Sequence, residues 1–251
     1  MNEVIFLGTA GGRYVVAYQL RSSAGTVIKV EDELIVLDPG PGTLVHLAKK
    51  KLQVRKISSI IVSHKHLDHS ADLNVIIDAL TEGGFKKRGS LFITEEAINE
   101  CIPLPYLRDF LKNIDFLKPR TEYTLEKGIS FKTTRLLNHG AENYGLLFNM
   151  PSGKILGFIT DTAYFEGIEE EFKTANILVI NVVRYTRLKG VLHLCIEDVK
   201  KILSKLRPEL VILTHFGMSM LRANPFKLAK ELSKEFGLEI KACYDGMTIR
   251  V

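Results

Sequence analysis

Residues 63–69 read Ser-His-Lys-His-Leu-Asp-His and crowd His64, His66, Asp68 and His69 into one short stretch. Imidazole and carboxylate without thiolate suit Zn²⁺, and also Mn²⁺ or Fe. Three more metal-capable residues, His139, Asp161 and His215, stand within two residues of the end of an apolar run: ISFKTTRLL, KILGFIT and LVILT. His64 stands in the same way after ISSIIV. One mononuclear centre needs about four ligands. These seven candidates exceed that number, and two metals sharing a bridging carboxylate would use all of them. Five of the seven histidines lie in this set. His46, in the middle of TLVHLAKKK, fits no such pattern and reads as an ordinary helix residue.

The elements that must position these residues alternate between strand and helix. VIFL (4–7), TVIKV (26–30), LIVLD (34–38) and ISSIIV (57–62) read as strands, rich in β-branched and apolar residues between turn signals. The Pro-Gly-Pro-Gly turn at 39–42 precedes a helix over 43–51, and a second helix spans 71–80 with Asp72 in its first turn. Between 81 and 128 only EEAINECI reads as helical, and PLPYLRDFLKNIDF gives no single period. Strands resume with ISFKTTRLL, YGLLFNM, KILGFIT and ANILVIN. A helix over 196–206, the strand LVILT, a helix over 225–236 and the strands EIKAC and MTIRV complete the chain. This alternation predicts an α/β layered fold, read as one domain over residues 1–251. No internal repeat is visible.

Composition excludes several classes. The chain is 46% hydrophobic and 25% charged, enough to bury a sizeable core without disulfides. Cys101, Cys195 and Cys243 lack CxxC spacing and read as small buried hydrophobes in a reducing compartment. No basic leader and no apolar run of membrane-spanning length is present, so a cytoplasmic protein without membrane contact is expected. A net charge of +5 tolerates an anionic substrate. The GTAGG opening matches neither GxGxxG nor GxxxxGK[ST], so its glycines read as turn formers rather than a nucleotide-cofactor loop. The segment RYTRLKG (184–190) carries three positive charges, and Arg13 and Arg21 flank the Gly-rich opening. Each reads equally well as solvated surface or as an anion contact.

HxHxDH followed by isolated His, Asp and His at strand ends resembles the metallo-β-lactamase superfamily. The likeness extends to FLGTAGG, to LDPGPG at 37–42, to NHGAENYG at 138–145, to ITDT at 159–162 and to LTHFG at 213–217. Within the superfamily the chain is most similar to the ribonuclease Z and phosphodiesterase branch. The resemblance implies a four-layer αβ/βα metallo-β-lactamase sandwich with two divalent metal ions, expected to be zinc, with Mn or Fe as alternatives. It implies that His64, His66 and His139 hold one metal, that Asp68, His69 and His215 hold the other, and that Asp161 bridges them. The implied activity is that of a binuclear hydrolase using a metal-bridging hydroxide on a phosphodiester. The alternatives are a lactone, thioester or other acyl substrate, or a non-catalytic metal-binding partner in a biosynthetic pathway.

Asp68 and His193 are the expected catalytic side chains, Asp68 orienting the nucleophile and His193 donating to the developing oxyanion or leaving oxygen. Ribonuclease Z-like sequences follow a His at this place with Ser-Thr, whereas Leu194 and Cys195 follow here. They also read His-Glu-Ala-Thr after the strand matching ANILVIN, where this chain has Asn181, Val182, Val183 and Arg184. No Gly/Pro-rich arm for gripping transfer RNA is visible. These departures turn the expectation from transfer-RNA processing toward a small-molecule or nucleotide-type anionic substrate. RNA is retained as a partner to be tested, and a homodimer is compatible with the sequence.

Overall fold

The structure, a computed structural model, describes residues 2–251. The strands are β1 (Glu3–Phe6), β2 (Thr26–Val30), β3 (Glu33–Leu37), β4 (Ile57–Val62), β5 (Ser90–Ile93), β6 (Asn113–Phe116), β7 (Glu122–Thr124), β8 (Ser130–Leu136), β9 (Tyr144–Asn149), β10 (Ile155–Ile159), β11 (Ile177–Asn181), β12 (Leu210–Thr214), β13 (Glu239–Ala242) and β14 (Thr248–Arg250). The helices are α1 (Arg13–Ala17), α2 (Thr43–Lys49), α3 (Leu67–Ser70), α4 (Leu73–Leu80), α5 (Glu95–Asn99), α6 (Pro105–Arg108), α7 (Ile168–Phe172), α8 (Ile196–Lys205), α9 (Met218–Arg222) and α10 (Pro225–Phe236). The chain divides into two compact units, and the division interleaves. One unit takes residues up to Gly8, Ser22–Lys118 and Asp245–Arg250; the other takes Thr9–Arg21, Pro119–Tyr244 and Val251.

The first unit is built on a seven-stranded sheet in the order β14-β1-β2-β3-β4-β5-β6. Pairing is antiparallel from β14 to β3 and parallel from β3 to β6. Alternate residues of the parallel strands, Val36, Ile60, Val62, Leu91 and Ile93, bury one face against α4. That helix offers Leu73, Ile76, Ile77 and Leu80, the i, i+3, i+4, i+7 stripe of an amphipathic helix. Each such side chain contributes roughly 1.5–3 kcal/mol on burial. The expected helix over 71–80 starts at Leu73, with Asp72 as its N-cap residue and the Asp72 carboxylate accepting from Leu44 N at 3.0 Å.

The second unit repeats the layout with the order β13-β12-β11-β10-β9-β8-β7. Here β7 to β10 pair antiparallel and β10 to β13 parallel. Leu178, Ile180, Val211 and Leu213 pack with Ile196, Val199, Ile202 and Leu203 of α8 and with Leu228 and Leu232 of α10. The limits of α10 follow from local chemistry. Asn224 Oδ1 accepts from Lys227 N at 3.2 Å, Pro225 occupies the first turn, and Gly237 closes the helix at φ +64°. The expected spans of β2, β4, β12 and α10 are found unchanged.

One sequence expectation is corrected. Cys195 and Cys243 are buried, but Cys101 is exposed. It lies just beyond α5 at φ +60°, in a surface turn ahead of Pro103, where nothing packs over it. The stretch around PLPYLRDFLKNIDF, which showed no single period, is two short elements, α6 and β6, neither long enough to display one. Among the described residues no helix is long and apolar enough to cross a membrane.

Candidate functional site

In the first unit the hydrophobic strand β4 delivers Ser63 and His64 at its carboxyl end, the edge where parallel α/β sheets present ligands. His66 starts α3, and one turn of that helix carries Asp68 and His69. The His64 ring lies 4.8 Å from that of His66 and 4.1 Å from that of His69, centroid to centroid. Asp68 Oδ2 lies 3.9 Å from His69 Nε2, so all four metal-capable residues of this stretch are gathered at one place. His64 is fully buried and His69 nearly so.

Asp38, at the end of β3, organises this cluster. Its Oδ1 accepts from Ser63 N at 2.7 Å, and its Oδ2 accepts from Ser63 Oγ at 2.8 Å and from His69 Nδ1 at 2.9 Å. A carboxylate in this position only accepts, so His69 carries its proton on Nδ1. Ser63 Oγ spends its single proton on Asp38. At 3.0 Å from His64 Nδ1 it therefore accepts, and His64 also carries its proton on Nδ1. Both rings thus present a lone pair at Nε2. The turn that places Asp38 is packed against the ligand loop itself. A Cβ on Gly40 would lie 2.1 Å from Asp68 O and 2.2 Å from Ser23 O, so only glycine fits the LDPGPG turn there. His46, by contrast, sits in α2 with Nε2 3.0 Å from Ser22 Oγ. Burial, reinforced by Lys49, lowers its pKa. It takes no part in the cluster, as its sequence context predicted.

In the second unit the ends of β8, β10 and β12 supply His139, Asp161 and His215. His139 Nδ1 lies 3.0 Å from the carbonyl oxygen of Leu192, an acceptor only, so this ring too keeps its lone pair at Nε2. Asp161 is 3% exposed and Asn143, which donates to its backbone oxygen, is fully buried. Asn181 Nδ2 donates to Asp161 Oδ1 at 2.9 Å and sets the carboxylate plane. The other oxygen, Oδ2, lies 3.3 Å from His215 Nε2 and 3.6 Å from His193 Nδ1. The rings of His193 and His139 are 5.2 Å apart. His215 itself adopts φ +60°, a turn that ends β12 abruptly and re-aims the chain.

His193 owes its position to the helix it precedes. Cys195 caps α8, with its N and Sγ both donating to Asp198 Oδ2 at 3.1 Å. Burial and Asp198 push the Cys195 thiol up, which removes it as a nucleophile. Arg187 pairs with the same buried carboxylate. One of the three positive charges of 184–190 is thus structural: it ties the loop to α8.

The donor set fits a divalent metal. His64, His69 and His139 each have Nδ1 held by an acceptor, and the Asp161 carboxylate is braced by Asn181, the support that ligating side chains carry. Sequence reasoning missed Asp38, Ser63 and Asn181. Asp38 read as the last residue of the strand LIVLD, and nothing in spacing tied it to positions 25 and 31 residues later.

Comparison with known proteins places the chain among relatives of the same kind. The Beta-lactamase superfamily domain matches residues 34–216. The chain is 31% identical over 260 residues to the uncharacterized protein MJ1374 of Methanocaldococcus jannaschii, covering 99% of this chain and 95% of that protein. It is 25% identical over 316 residues to a Ribonuclease Z of Borreliella afzelii, covering 98% and 96%. The metallo-beta-lactamase fold protein YhfI from Bacillus subtilis superposes with a TM-score of 0.83 at 19% identity, over 100% of this chain and 99% of that one.

Proposed function

The chain belongs to the metallo-β-lactamase superfamily and has its fold, and from that premise we propose that it is a binuclear metal-dependent hydrolase acting on a phosphodiester. The observation that carries this reading is the fixed tautomer of His64, His69 and His139, each with Nδ1–H bonded to an acceptor and Nε2 left with its lone pair for a metal. In the proposal His64, His66 and His139 would hold one metal, Asp68, His69 and His215 would hold the other, and Asp161 would contribute to both. When bound, such ions supply Lewis acidity that makes water nucleophilic near neutral pH and offsets charge on the substrate oxygens.

The remaining work falls to side chains. Asn181 keeps Asp161 from rotating, so Oδ2 stays directed toward His215 and His193. Asp68 orients the nucleophile. His193 turns Nδ1 toward Asp161 and uses its other ring nitrogen to protonate the departing oxygen, the part of a general acid. A phosphodiester is favoured over an acyl group because Arg184, whose N donates to Leu194 O next to His193 at 3.2 Å, has no ion-pair partner among the described residues, and the Borreliella relative is a Ribonuclease Z.

Metal analysis of the purified protein, paired with a chromogenic panel of phosphodiester, phosphomonoester, lactone, thioester and β-lactam compounds, tests the reading. Bound metal and turnover of bis(p-nitrophenyl) phosphate are expected, with at least a hundredfold loss in Asp161→Ala. Stoichiometric metal with no phosphodiester turnover overturns it, and turnover of an acyl compound alone reassigns the substrate.

A further inference from the structure

Three segments of the second unit converge beside His215. Phe216 N donates to Thr9 O at 2.8 Å, and Gly11 N donates to Phe216 O at 3.0 Å. A Cβ on Gly11 would lie 2.1 Å from His215 O, so the approach exists because that residue is glycine. From the other side Gly217 N donates to Val183 O at 3.1 Å, and Tyr185 N donates to Ser219 Oγ at 3.1 Å. The junction therefore fixes α1, α9 and Arg184 around the residue that the proposal makes a metal ligand.

Together they line an open groove of about 440 Å³ formed by Tyr14, Tyr18, Arg184, Met218, Ser219 and Arg222. Its chemistry is unlike an ordinary surface dent. Tyr14 and Tyr18 are spaced i, i+4, so they rise from one side of α1, and they are 65% and 71% exposed. The lining holds two guanidinium groups and no carboxylate. Neither Arg184 nor Arg222 makes an ion pair among the described residues, and Arg184 Nε is buried there without a hydrogen-bond acceptor. Exposed aromatic faces take up planar rings by stacking, and guanidinium without a counter-charge pairs with phosphate in a two-pronged geometry.

We propose that this groove binds the base of a nucleotide-type substrate, with Tyr14 and Tyr18 against the ring and Arg184 and Arg222 on its phosphate. The proposal rests on the phosphodiesterase reading for what happens next to the bound phosphate, but the binding itself is separable from it. Calorimetric titration of the purified protein with adenosine 5′-monophosphate, ribose 5-phosphate and inorganic phosphate tests it. The nucleotide is expected to bind at least tenfold more tightly than ribose 5-phosphate. In the double variant Tyr14→Ala/Tyr18→Ala that ratio should collapse to about one, and Arg222→Ala should weaken nucleotide binding at least fivefold. All three side chains are exposed, and an unchanged melting temperature verifies that the variants fold. A ratio of one in the native protein, or a ratio that survives the double variant, overturns the proposal. So does sedimentation showing a native dimer that the double variant dissolves, which would assign the groove to a second copy of the chain. Turnover of bis(p-nitrophenyl) phosphate by the native protein is scored separately. Turnover without a base preference removes the groove and leaves the hydrolase; base preference without turnover does the reverse.

Discussion

At Asp38 three hydrogen bonds converge on one carboxylate, and two of the three reach imidazoles, one directly and one through Ser63. That arrangement explains why a residue that touches no substrate in the proposal governs which nitrogen of His64 and His69 faces a metal. Removing the carboxylate frees both rings to rotate and to change tautomer. Asp38→Ala is therefore expected to weaken metal affinity by roughly 10–100-fold, the usual cost of losing such a partner. Competition against a chromophoric chelator measures it, and an affinity equal to that of the native protein contradicts the tautomer argument. The candidate ligands stood out in the sequence because His64, His139, Asp161 and His215 each come within two residues of an apolar run and His66, Asp68 and His69 crowd behind the first of them. Their supports did not. Asp38, Ser63 and Asn181 make contacts across 20 to 31 residues, and each has a blander local reading, Asp38 and Asn181 as strand ends and Ser63 as the residue after one.

Among the helices, what could be read scales with length. The ten- and twelve-residue helices α8 and α10 carry a full apolar stripe and end signals, and their spans were predicted to within a residue. The four-residue pieces α6 and β6 are too short to show a stripe. The short helix α7 shows how such an element is held without a stripe. Its Glu171 accepts from Arg120 Nη2 at 2.6 Å and from Arg135 N at 3.0 Å, tying the helix to the segments beside β7 and β8. Burial acts to raise the Glu171 carboxyl, but the Arg120 guanidinium and the Arg135 amide outweigh it and hold it below the usual carboxylate range. A depressed folded-state pKa gives stability that is present above the unfolded value of about 4.3 and is lost as pH falls through the folded value. Glu171→Gln should then cost on the order of 1 kcal/mol at pH 7, modest because Arg120 is largely exposed. Urea midpoints of variant and native protein should converge below pH 4. A gap that persists in acid places the effect in packing instead.

For the whole molecule, the two units share one plan, an antiparallel half running into a parallel half, although no repeat is visible in the sequence. The reason is physical: the plan needs only apolar strands and amphipathic helices in order, which many sequences satisfy. The interleaving of the units was equally hidden. The chain leaves the first unit after Gly8 and returns at Ser22, where a Cβ on Gly8 would lie 2.3 Å from Ser22 O, and no linker composition marks the exit. Charge is the remaining global property, and at +5 it is too small and too dispersed to grip a long polyanion by itself. Each phosphate neutralised on a single strand adds about 0.7 to the slope of log affinity against log salt. A substrate held through the single phosphate of the Tyr14–Arg222 groove should therefore lose only about threefold in kcat/KM between 50 and 200 mM salt. An RNA gripped at many phosphates would lose more than a hundredfold over the same range. Steady-state rates across that range, on a short nucleotide diester and on a structured RNA, separate the two. A steep loss on the RNA together with faster turnover at low salt would move the substrate from nucleotide to polynucleotide, and would require basic surface beyond the two arginines of the groove.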